Sequence, residues 1–327
     1  MLEIINKKVL ITGGAGFIGS NLCENFLNHN NYVVCLDNLS TGKESNIKHL
    51  FNNKKFKFIN GDIRNINICK EACKDVEIVL HNAALGSVPR SLNDPITTND
   101  VNISGFLNML IAARDTNVKR FVYAASSSTY GDSEQLPKIE DVIGKPLSPY
   151  AVTKYVNELY AHVFYLNFGL ESIGLRYFNV YGRRQDPNGV YAAVIPKFIN
   201  SIINLESPII NGDGNNSRDF TYIDNVIQMN HLAASTKNPL AIGQVFNTAV
   251  GESINLIEMF NLIQDNLSLY KKNVKDISYK LGSDRPGDIK HSLASIDKAI
   301  NFLGYKPTHN FEQGIYETVK WYINNLN

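Results

Sequence analysis

The chain has 327 residues, of which 44% are apolar, and a formal net charge of +1. This length and apolar content can bury a large core divided between two lobes. A net charge so close to zero excludes a broadly basic surface, so we expect no nucleic-acid partner. Neither a signal peptide nor an apolar run of about 18 residues is present, which favours a cytoplasmic protein with no membrane partner.

The first strand–helix unit carries a glycine-rich turn. Residues 9–12 form an apolar run that predicts a buried parallel strand. Gly13, Gly16 and Gly19 follow at intervals of three, and a helix is expected from Ser20 to about Leu27. Glycines at this spacing allow a tight turn and close approach of a pyrophosphate, to which the helix N-terminus offers free N–H groups. The motif therefore predicts a dinucleotide site; a glycine turn without a cofactor is the alternative.

The acid after the second strand indicates which dinucleotide binds. The run 32–36 predicts that strand, and Asp37 follows it 18 residues beyond Gly19. A carboxylate at this place binds ribose hydroxyls and repels a 2′-phosphate, so NAD is favoured over NADP.

Two later strands should line the rest of the cofactor site. The run 56–60 leads to Asp62, which could receive the adenine amino group or could be an ordinary turn aspartate. The run 76–80 leads to His81, to which we assign no chemistry because imidazole often only packs. The small Ala83 and Ala84 would let the backbone lie along the nicotinamide half of the cofactor.

A tyrosine and a lysine one helical turn apart are the candidate catalytic pair. Tyr150 and Lys154 project from the same face of a helix that Ser148 can cap and Gly169 should end. The ammonium is expected to favour the phenolate and so to lower the pKa of Tyr150. Taken alone, the spacing favours the alternative of a surface lysine beside a half-buried tyrosine, so the assignment depends on the motifs upstream.

Together these motifs resemble a known family. The sequences at 13–19, 37–38, 126–131, 150–154 and 176–179 are similar to those of the extended short-chain dehydrogenase/reductase family, in particular its UDP-sugar 4-epimerases. Matches at 212–220 and 285–288 extend the resemblance over essentially the whole chain. It implies an α/β fold with a doubly wound parallel Rossmann sheet, a smaller α/β substrate-binding lobe, and NAD as the cofactor.

The resemblance also implies a mechanism in which Ser126, Tyr150 and Lys154 are catalytic. Tyr150 as phenolate would remove the C4 hydroxyl proton, with Ser126 sharing that hydrogen bond, while Lys154 keeps the phenolate accessible. Hydride would pass to NAD, and the 4-keto sugar would turn before the hydride returns to its opposite face. Dehydration is disfavoured, because the related dehydratases carry an Asp-Glu pair where Ser127 and Ser128 stand.

The same resemblance assigns the binding residues. Those expected to bind NAD are Gly13, Gly16, Phe17, Ile18, Gly19, Asp37, Asn38, Ser40, Thr41, Gly42, Asp62, Ile63, Ala83, Ala84, Tyr150, Lys154 and Tyr177. Those expected to bind the nucleotide sugar are Gly86, Ser87, Arg90, Ser127, Ser128, Asn179, Ala193, Val194, Lys197, Arg218, Arg285, Asp288 and Ser292. The arginines suit the diphosphate, although a solvated surface is the competing interpretation for any single one.

One position points to an acetylated sugar. Epimerases restricted to plain hexoses have a tyrosine seven residues after the equivalent of Arg285, where this chain has Ser292. A hydroxymethyl group leaves room for an N-acetyl group, and Gly86 and Ala193 are also small. Segments 86–90 and 183–189 are similar to those of epimerases that prefer UDP-N-acetylglucosamine and UDP-N-acetylgalactosamine. We expect that substrate pair, with UDP-glucose and UDP-galactose possible; the alternative is that Ser292 faces elsewhere and discrimination is loose.

Three other functions compete with this one. A UDP-glucuronate or N-acetylglucosaminuronate 4-epimerase, or a decarboxylase, stays open because Arg90 could face a C6 carboxylate. A net dehydrogenase would consume external NAD. A non-catalytic NAD-sensing protein is disfavoured, since such relatives usually lose the tyrosine or the lysine.

The expected organisation has two lobes. Residues 1–180, with returning segments at about 224–250, would form the NAD-binding domain, and 181–327 a discontinuous UDP-sugar-binding lobe. A terminal helix from about 311 to 326 should pack on that lobe.

The four cysteines are predicted to be buried thiols rather than metal ligands or disulfides. An apolar stripe is formed by Phe106, Met109, Leu110 and Ala113, and a second one lies on the Tyr150 helix. Such a stripe indicates either core packing or a dimer interface, and family precedent favours a homodimer.

Overall fold

The computed structural model describes residues 4–189, 192–283 and 290–325. Within them, the central element is a sheet of seven strands in the order β3-β2-β1-β4-β5-β6-β11, and every neighbouring pair is parallel. Its strands are β1 (Lys8–Thr12), β2 (Tyr32–Asp37), β3 (Phe56–Asn60), β4 (Ile78–His81), β5 (Arg120–Ser126), β6 (Ser172–Tyr177) and β11 (Val245–Thr248). The order reverses at β1, which places the carboxyl ends of β1 and β4 on either side of a crevice.

Helices cover both faces of the sheet. The helices are α1 (Phe17–Asn28), α2 (Ile66–Ala72), α3 (Val88–Asn93), α4 (Pro95–Asn99), α5 (Gly105–Asp115), α6 (Pro149–Phe168), α7 (Val194–Ile203), α8 (Ile223–Ser235), α9 (Leu256–Ser268), α10 (Asp297–Leu303) and α11 (Phe311–Asn325). Val9 and Ile11 of β1 pack into one core cluster together with residues of α1 and α8. Leu10 enters a second cluster with residues of α2, α5 and α6. This alternation confirms the predicted fold class, because side chains of one strand point to opposite faces.

The second region consists of short elements joined by loops. Its strands pair two by two: β7 (Val180–Tyr181) with β10 (Thr221–Tyr222), β8 (Ile209–Asn211) with β13 (Lys280–Gly282), and β9 (Ser217–Arg218) with β12 (Ile254–Asn255). The terminal helix α11 packs against α9 in this region, as the sequence predicted. The chain also returns to the central sheet, where α8 packs and β11 forms one edge next to β6. The division into two domains at residue 180 stays a prediction.

Helix α1 begins at Phe17 rather than at the predicted Ser20, because Gly16 is already extended and serves as its N-cap. The stripe on α5 is core packing and not a dimer surface, since its four residues are fully buried within the single chain: Phe106, Met109, Leu110 and Ala113. The cysteines are free and buried, as predicted, and burial raises the pKa of both Cys69 and Cys73 to about 12.

Among the described residues, none of the helices has the length and apolar character needed to cross a lipid bilayer.

Candidate active site

A cleft of about 640 Å³, here called the cofactor cleft, lies at the carboxyl ends of the parallel strands. The glycine turn, the ends of β2, β4, β5 and β6, and the first turns of α6 line one side of it. The segment between β7 and α7 lines the other side. In open parallel sheets this edge, at the reversal of strand order, is where ligands bind.

The glycine turn leaves no room for side chains. Gly13 has φ +66°, and a Cβ atom there would lie 2.8 Å from the Ala83 nitrogen. A Cβ atom on Gly19 would lie 2.1 Å from the Gly13 carbonyl oxygen. The backbone therefore packs directly on backbone, with the start of α1 facing the cleft. This arrangement fits a dinucleotide whose pyrophosphate lies against unshielded N–H groups.

Asp37 ends β2 inside the cofactor cleft, where it is buried. Its Oδ2 accepts from the Ala15 N–H at 2.9 Å, and its Oδ1 accepts from the Leu39 N–H at 2.8 Å. Burial raises the pKa of this carboxyl, and the backbone donors oppose that rise. The carboxylate is thus fixed to the glycine turn, in the position that a ribose-binding acid requires.

Asp62, for which the sequence suggested either an adenine contact or an ordinary turn, lines the cofactor cleft after β3. Its carboxylate accepts from Arg64 Nη2 at 2.7 Å and from Asn38 Nδ2 at 2.9 Å. The Arg64 guanidinium is the main cause that lowers the pKa of Asp62 to about 2. The carboxylate is therefore ionised and able to accept a donor such as an exocyclic amine.

The predicted helix signals of α6 are confirmed. Ser148 Oγ accepts from the Ala151 N–H at 3.1 Å, and Pro149 occupies the first helical position. Gly169 ends the helix in the left-handed conformation at φ +66°. The cap orients the helix so that its first turns, which carry Tyr150 and Lys154, face Ser126 at the end of β5 in the cofactor cleft.

Lys154 is buried and lines the cofactor cleft. Its Nζ donates to the Ala124 carbonyl oxygen at 2.8 Å. Burial lowers the pKa of Lys154 to about 8, while the charge of Glu158 one turn further along acts in the opposite direction. Glu158 is in turn fixed by a two-pronged ion pair with Arg176, whose Nη2 lies 2.7 Å from Glu158 Oε2.

The expectation of a lowered tyrosine pKa was wrong for the protein alone. Burial raises the pKa of Tyr150, and the hydrogen bond with Ser126 offsets only part of the rise. The reason is that burial removes the solvation a phenolate needs, and the Lys154 ammonium is engaged by the Ala124 carbonyl. Ser126 also accepts from Ser128 Oγ at 2.9 Å, so these two serines form one polar cluster.

Most of the predicted cofactor residues line the cofactor cleft; Gly42 lies beside it, where an added Cβ atom would be 2.9 Å from Asp37 Oδ1. On the sugar side, four predicted residues line it: Gly86, Ser87, Arg90 and Ala193. Others lie outside its described lining: Ser127, Ser128, Asn179, Val194, Lys197, Arg218 and Ser292. Arg285 and Asp288 lie outside the described residues. All of these assignments as ligands stay predictions.

The sugar-side residues outside the lining are bonded to distant segments of the smaller region. Arg218 Nη1 donates to the carbonyl of Lys290 at 2.9 Å, and Asn179 Nδ2 donates to that of Asp219 at 2.9 Å. The Ser292 N–H donates to the Ser217 carbonyl at 3.0 Å, which fixes its backbone beside β9. These bonds hold the loops of the smaller region to one another.

Four further residues line the cofactor cleft that the sequence did not mark as ligands: Gln185, Asp186, Gly189 and Ala192. The first three fall in segment 183–189, which was noted only for its similarity to other epimerases. Asp186 pairs with Lys43 of the loop after β2, a pairing over 143 positions that no local sequence pattern signals.

A model of the NAD dependent epimerase/dehydratase family matches residues 9–249. The chain belongs to this family. A putative UDP-glucose 4-epimerase of Methanocaldococcus jannaschii is 37% identical over 319 residues, which covers 97% of this chain and 99% of that protein.

Solved structures of high similarity include two whose bound molecules are known. The UDP-N-acetylglucosamine 4-epimerase of Methanobrevibacter ruminantium, in complex with UDP-N-acetylmuramic acid, is 40% identical with a TM-score of 0.91, covering 98% of this chain and 99% of that one. The UDP-glucuronic acid 4-epimerase of Bacillus cereus, in complex with UDP-glucuronic acid and NAD, is 33% identical with a TM-score of 0.87, covering 98% and 100%. The predicted class, an NAD-dependent UDP-sugar 4-epimerase, and the predicted cofactor, NAD, are confirmed.

Proposed function

We propose that this protein interconverts UDP-N-acetylglucosamine and UDP-N-acetylgalactosamine by inversion at C4. The observation that carries the proposal is the meeting of Ser126, Tyr150 and Lys154 with the glycine turn in a single cleft. The sugar side of this cleft includes the small residues Gly86, Ser87 and Ala193. A Cβ atom added to Gly86 would meet nothing within 4 Å, so this edge has open space for an acetamido group. The 40% identity to a UDP-N-acetylglucosamine 4-epimerase supports the same substrate.

The chain fits NAD through its backbone and one acid. Gly13 and Gly19 remove the side chains that would block the pyrophosphate, and Asp37 offers its carboxylate to the ribose. When bound, NAD supplies a reversible hydride acceptor for C4, which makes a 4-keto sugar the intermediate.

The residues of the chain hold and move the proton. Tyr150 accepts the proton of the C4 hydroxyl in one half-reaction and returns it to the opposite epimer in the other. Because burial raises its pKa, this phenol needs positive charge nearby, and Lys154, with a pKa of about 8, carries that charge at neutral pH. Ser126 positions the reacting hydroxyl through the cluster it forms with Ser128. Ser127 and Ser128 cannot supply the acid and base that water elimination requires.

A uronate substrate is the second candidate. Arg90 lines the cofactor cleft, and a guanidinium there suits a carboxylate on the sugar. The similarity to a UDP-glucuronic acid 4-epimerase supports this alternative.

We also propose a homodimer, whose interface would be formed by α6 rather than by the buried stripe on α5. The outer face of α6 exposes apolar side chains over four turns, with Val152 46%, Leu159 50%, Val163 46% and Leu166 64% exposed. A second copy of the same helix would cover such a face. A cytoplasmic location stays a prediction.

The substrate can be tested by NMR of the purified protein with three separate substrates: UDP-N-acetylglucosamine, UDP-glucose and UDP-glucuronate. We expect the galacto epimer of the acetylated sugar to form with the highest kcat/KM, without growth of absorbance at 340 nm. Epimerisation of the plain sugar alone would overturn the acetamido preference. Epimerisation of the uronate alone would establish the second candidate.

A further inference from the structure

An ion pair joins a residue that lines the cofactor cleft to the loop after β2. Lys43 Nζ lies 2.7 Å from Asp186 Oδ2. Lys43 stands two residues after Thr41, which lines the cleft, and its N–H donates to the Ala15 carbonyl at 3.0 Å, which attaches it to the glycine turn. Asp186 lines the cleft, and its Oδ1 also accepts from the Asn188 N–H at 3.0 Å. The pair therefore ties the cleft lining around Asp186 to the glycine turn and to the loop after β2.

A second tether holds the same segment to α1. Arg184 Nη2 lies 2.7 Å from Glu24 Oε2, and the Arg184 side chain is only 11% exposed. Asn21 Nδ2 donates to the Arg183 carbonyl at 3.1 Å beside it. Arg184 adopts φ +68°, a left-handed conformation that non-glycine residues seldom take. An unfavourable backbone conformation that is held by a buried ion pair indicates that the position of this segment has a function.

Residues 183–186 are also bonded to the smaller region. The Tyr322 hydroxyl of α11 donates to the Gln185 carbonyl, and Gln185 Nε2 donates to the Val180 carbonyl at 3.1 Å. Residues 183–186 are thus fixed both to the smaller region and to the wall that carries the glycine turn. Moving this segment away from α1 and from the loop after β2 requires the two ion pairs and the Asn21–Arg183 hydrogen bond to break, while its bonds to Tyr322 and Val180 remain.

We propose that Lys43 and Asp186, backed by Glu24 and Arg184, form a latch that slows release of NAD from the cofactor cleft. The inference rests on the proposed redox-neutral function, which requires one cofactor molecule to remain through both half-reactions. A dehydrogenase has the opposite need, because its cofactor must leave after every turnover. The latch thus acts on cofactor residence time and leaves the proton-transfer residues untouched.

The solvent exposure of the Lys43–Asp186 pair limits how strongly this pair can slow NAD release. Lys43 is 53% and Asp186 35% exposed, so solvent screens their attraction. We expect Asp186→Asn to release NAD about 5-fold faster, which corresponds to about 1 kcal/mol. Glu24→Gln should have a larger effect, about 10-fold, because it leaves the buried Arg184 guanidinium without its partner.

The test uses holoenzyme purified with its bound NAD and mixed with excess deuterated NAD. Exchange is followed by mass spectrometry of the protein-bound cofactor, with no sugar nucleotide present, so the result does not depend on the identity of the substrate. The double variant Lys43→Asp with Asp186→Lys should restore slow exchange, because it reverses the pair without removing it. Exchange in wild type should also accelerate at high salt, whereas Asp186→Asn should respond less.

A matched control is available in the same chain. Lys275 and Asp265 form an ion pair with 54% and 60% exposure, and neither is among the described residues that line the cofactor cleft. Asp265→Asn should leave NAD exchange unchanged. The latch is overturned if Asp186→Asn exchanges at the wild-type rate, or if Asp265→Asn accelerates exchange to the same extent.

Discussion

The two walls of the cofactor cleft are built in different ways. The wall that faces the cofactor stands on parallel strands paired over four to six residues, such as β2 with β3 and β5 with β6. The sugar side stands on strands of two residues, among them β7, β9 and β10. Asp37 and Lys154 on the first wall are bonded to the glycine turn and to β5, and Arg218 of β9 is bonded to the distant Lys290, so the contrast lies in the length of the strands.

This contrast separates chemistry from specificity. Residues shared by all reactions of the family need fixed positions, which a long strand register and a buried helix provide. Residues that choose the sugar lie on loops, where substitutions change shape without unfolding the sheet. Substitutions on the first wall should therefore abolish function, and those on the second should redirect it.

The largest effect is expected from Gly19→Ala. Its Cβ atom would lie 2.1 Å from the Gly13 carbonyl oxygen, so backbone must move against backbone. We expect a loss of about 3 kcal/mol in the free energy of unfolding, measured in urea, and purified protein without NAD. Gly86→Ala, at a glycine of the cleft lining between β4 and α3, is the matched control, since its Cβ atom would meet nothing within 4 Å and NAD content should be unchanged. Equal NAD content in both variants would show that the glycine turn tolerates a side chain at position 19.

Tyr150→Phe should come next, with its effect confined to chemistry. Removing the phenolic hydroxyl is expected to lower kcat about 10²- to 10⁴-fold while bound NAD is retained. Rates are measured by NMR, and NAD content by absorbance after denaturation. Tyr155→Phe on the same helix serves as the control and should stay active. A fully active Tyr150→Phe enzyme would remove this residue from the mechanism.

Ser292→Tyr tests the second wall and should have the smallest effect. A phenol at this position is expected to reduce kcat/KM for UDP-N-acetylglucosamine by about 10- to 200-fold, with UDP-glucose turnover retained. Ser292→Ala should keep activity on both sugars. An unchanged preference in the tyrosine variant would mean that the side chain at position 292 points away from the sugar.

Local patterns predicted the parts of the site that depend on local structure. The glycine spacing, the Ser148 cap and the Gly169 stop each specify a turn of backbone, and the structure places all three as expected. Helix α1 starts at Phe17, before the predicted Ser20, because an extended Gly16 can serve as a cap without a side chain.

Properties that depend on tertiary burial could not be predicted in this way. The spacing of Tyr150 and Lys154 predicts that both lie on one face of a helix but not the burial that raises the tyrosine pKa. The α5 stripe has the same pattern whether it meets the sheet or a second chain, and only the fold decides between them. The Glu24–Arg184 and Lys43–Asp186 pairs join residues more than 140 positions apart, so neither partner indicates the other in the sequence.

The return of the chain to the sheet at β11 has a consequence for any truncated form. β11 pairs with β6 from Val245↔Gly174 to Thr248↔Tyr177 and covers what would otherwise be a free strand. A chain cut after residue 180 would leave the N–H and C=O groups of β6 unpaired along a flat, apolar edge. Such an edge is a template for intermolecular strand addition, so the first 180 residues expressed alone should aggregate rather than yield a miniature NAD-binding protein.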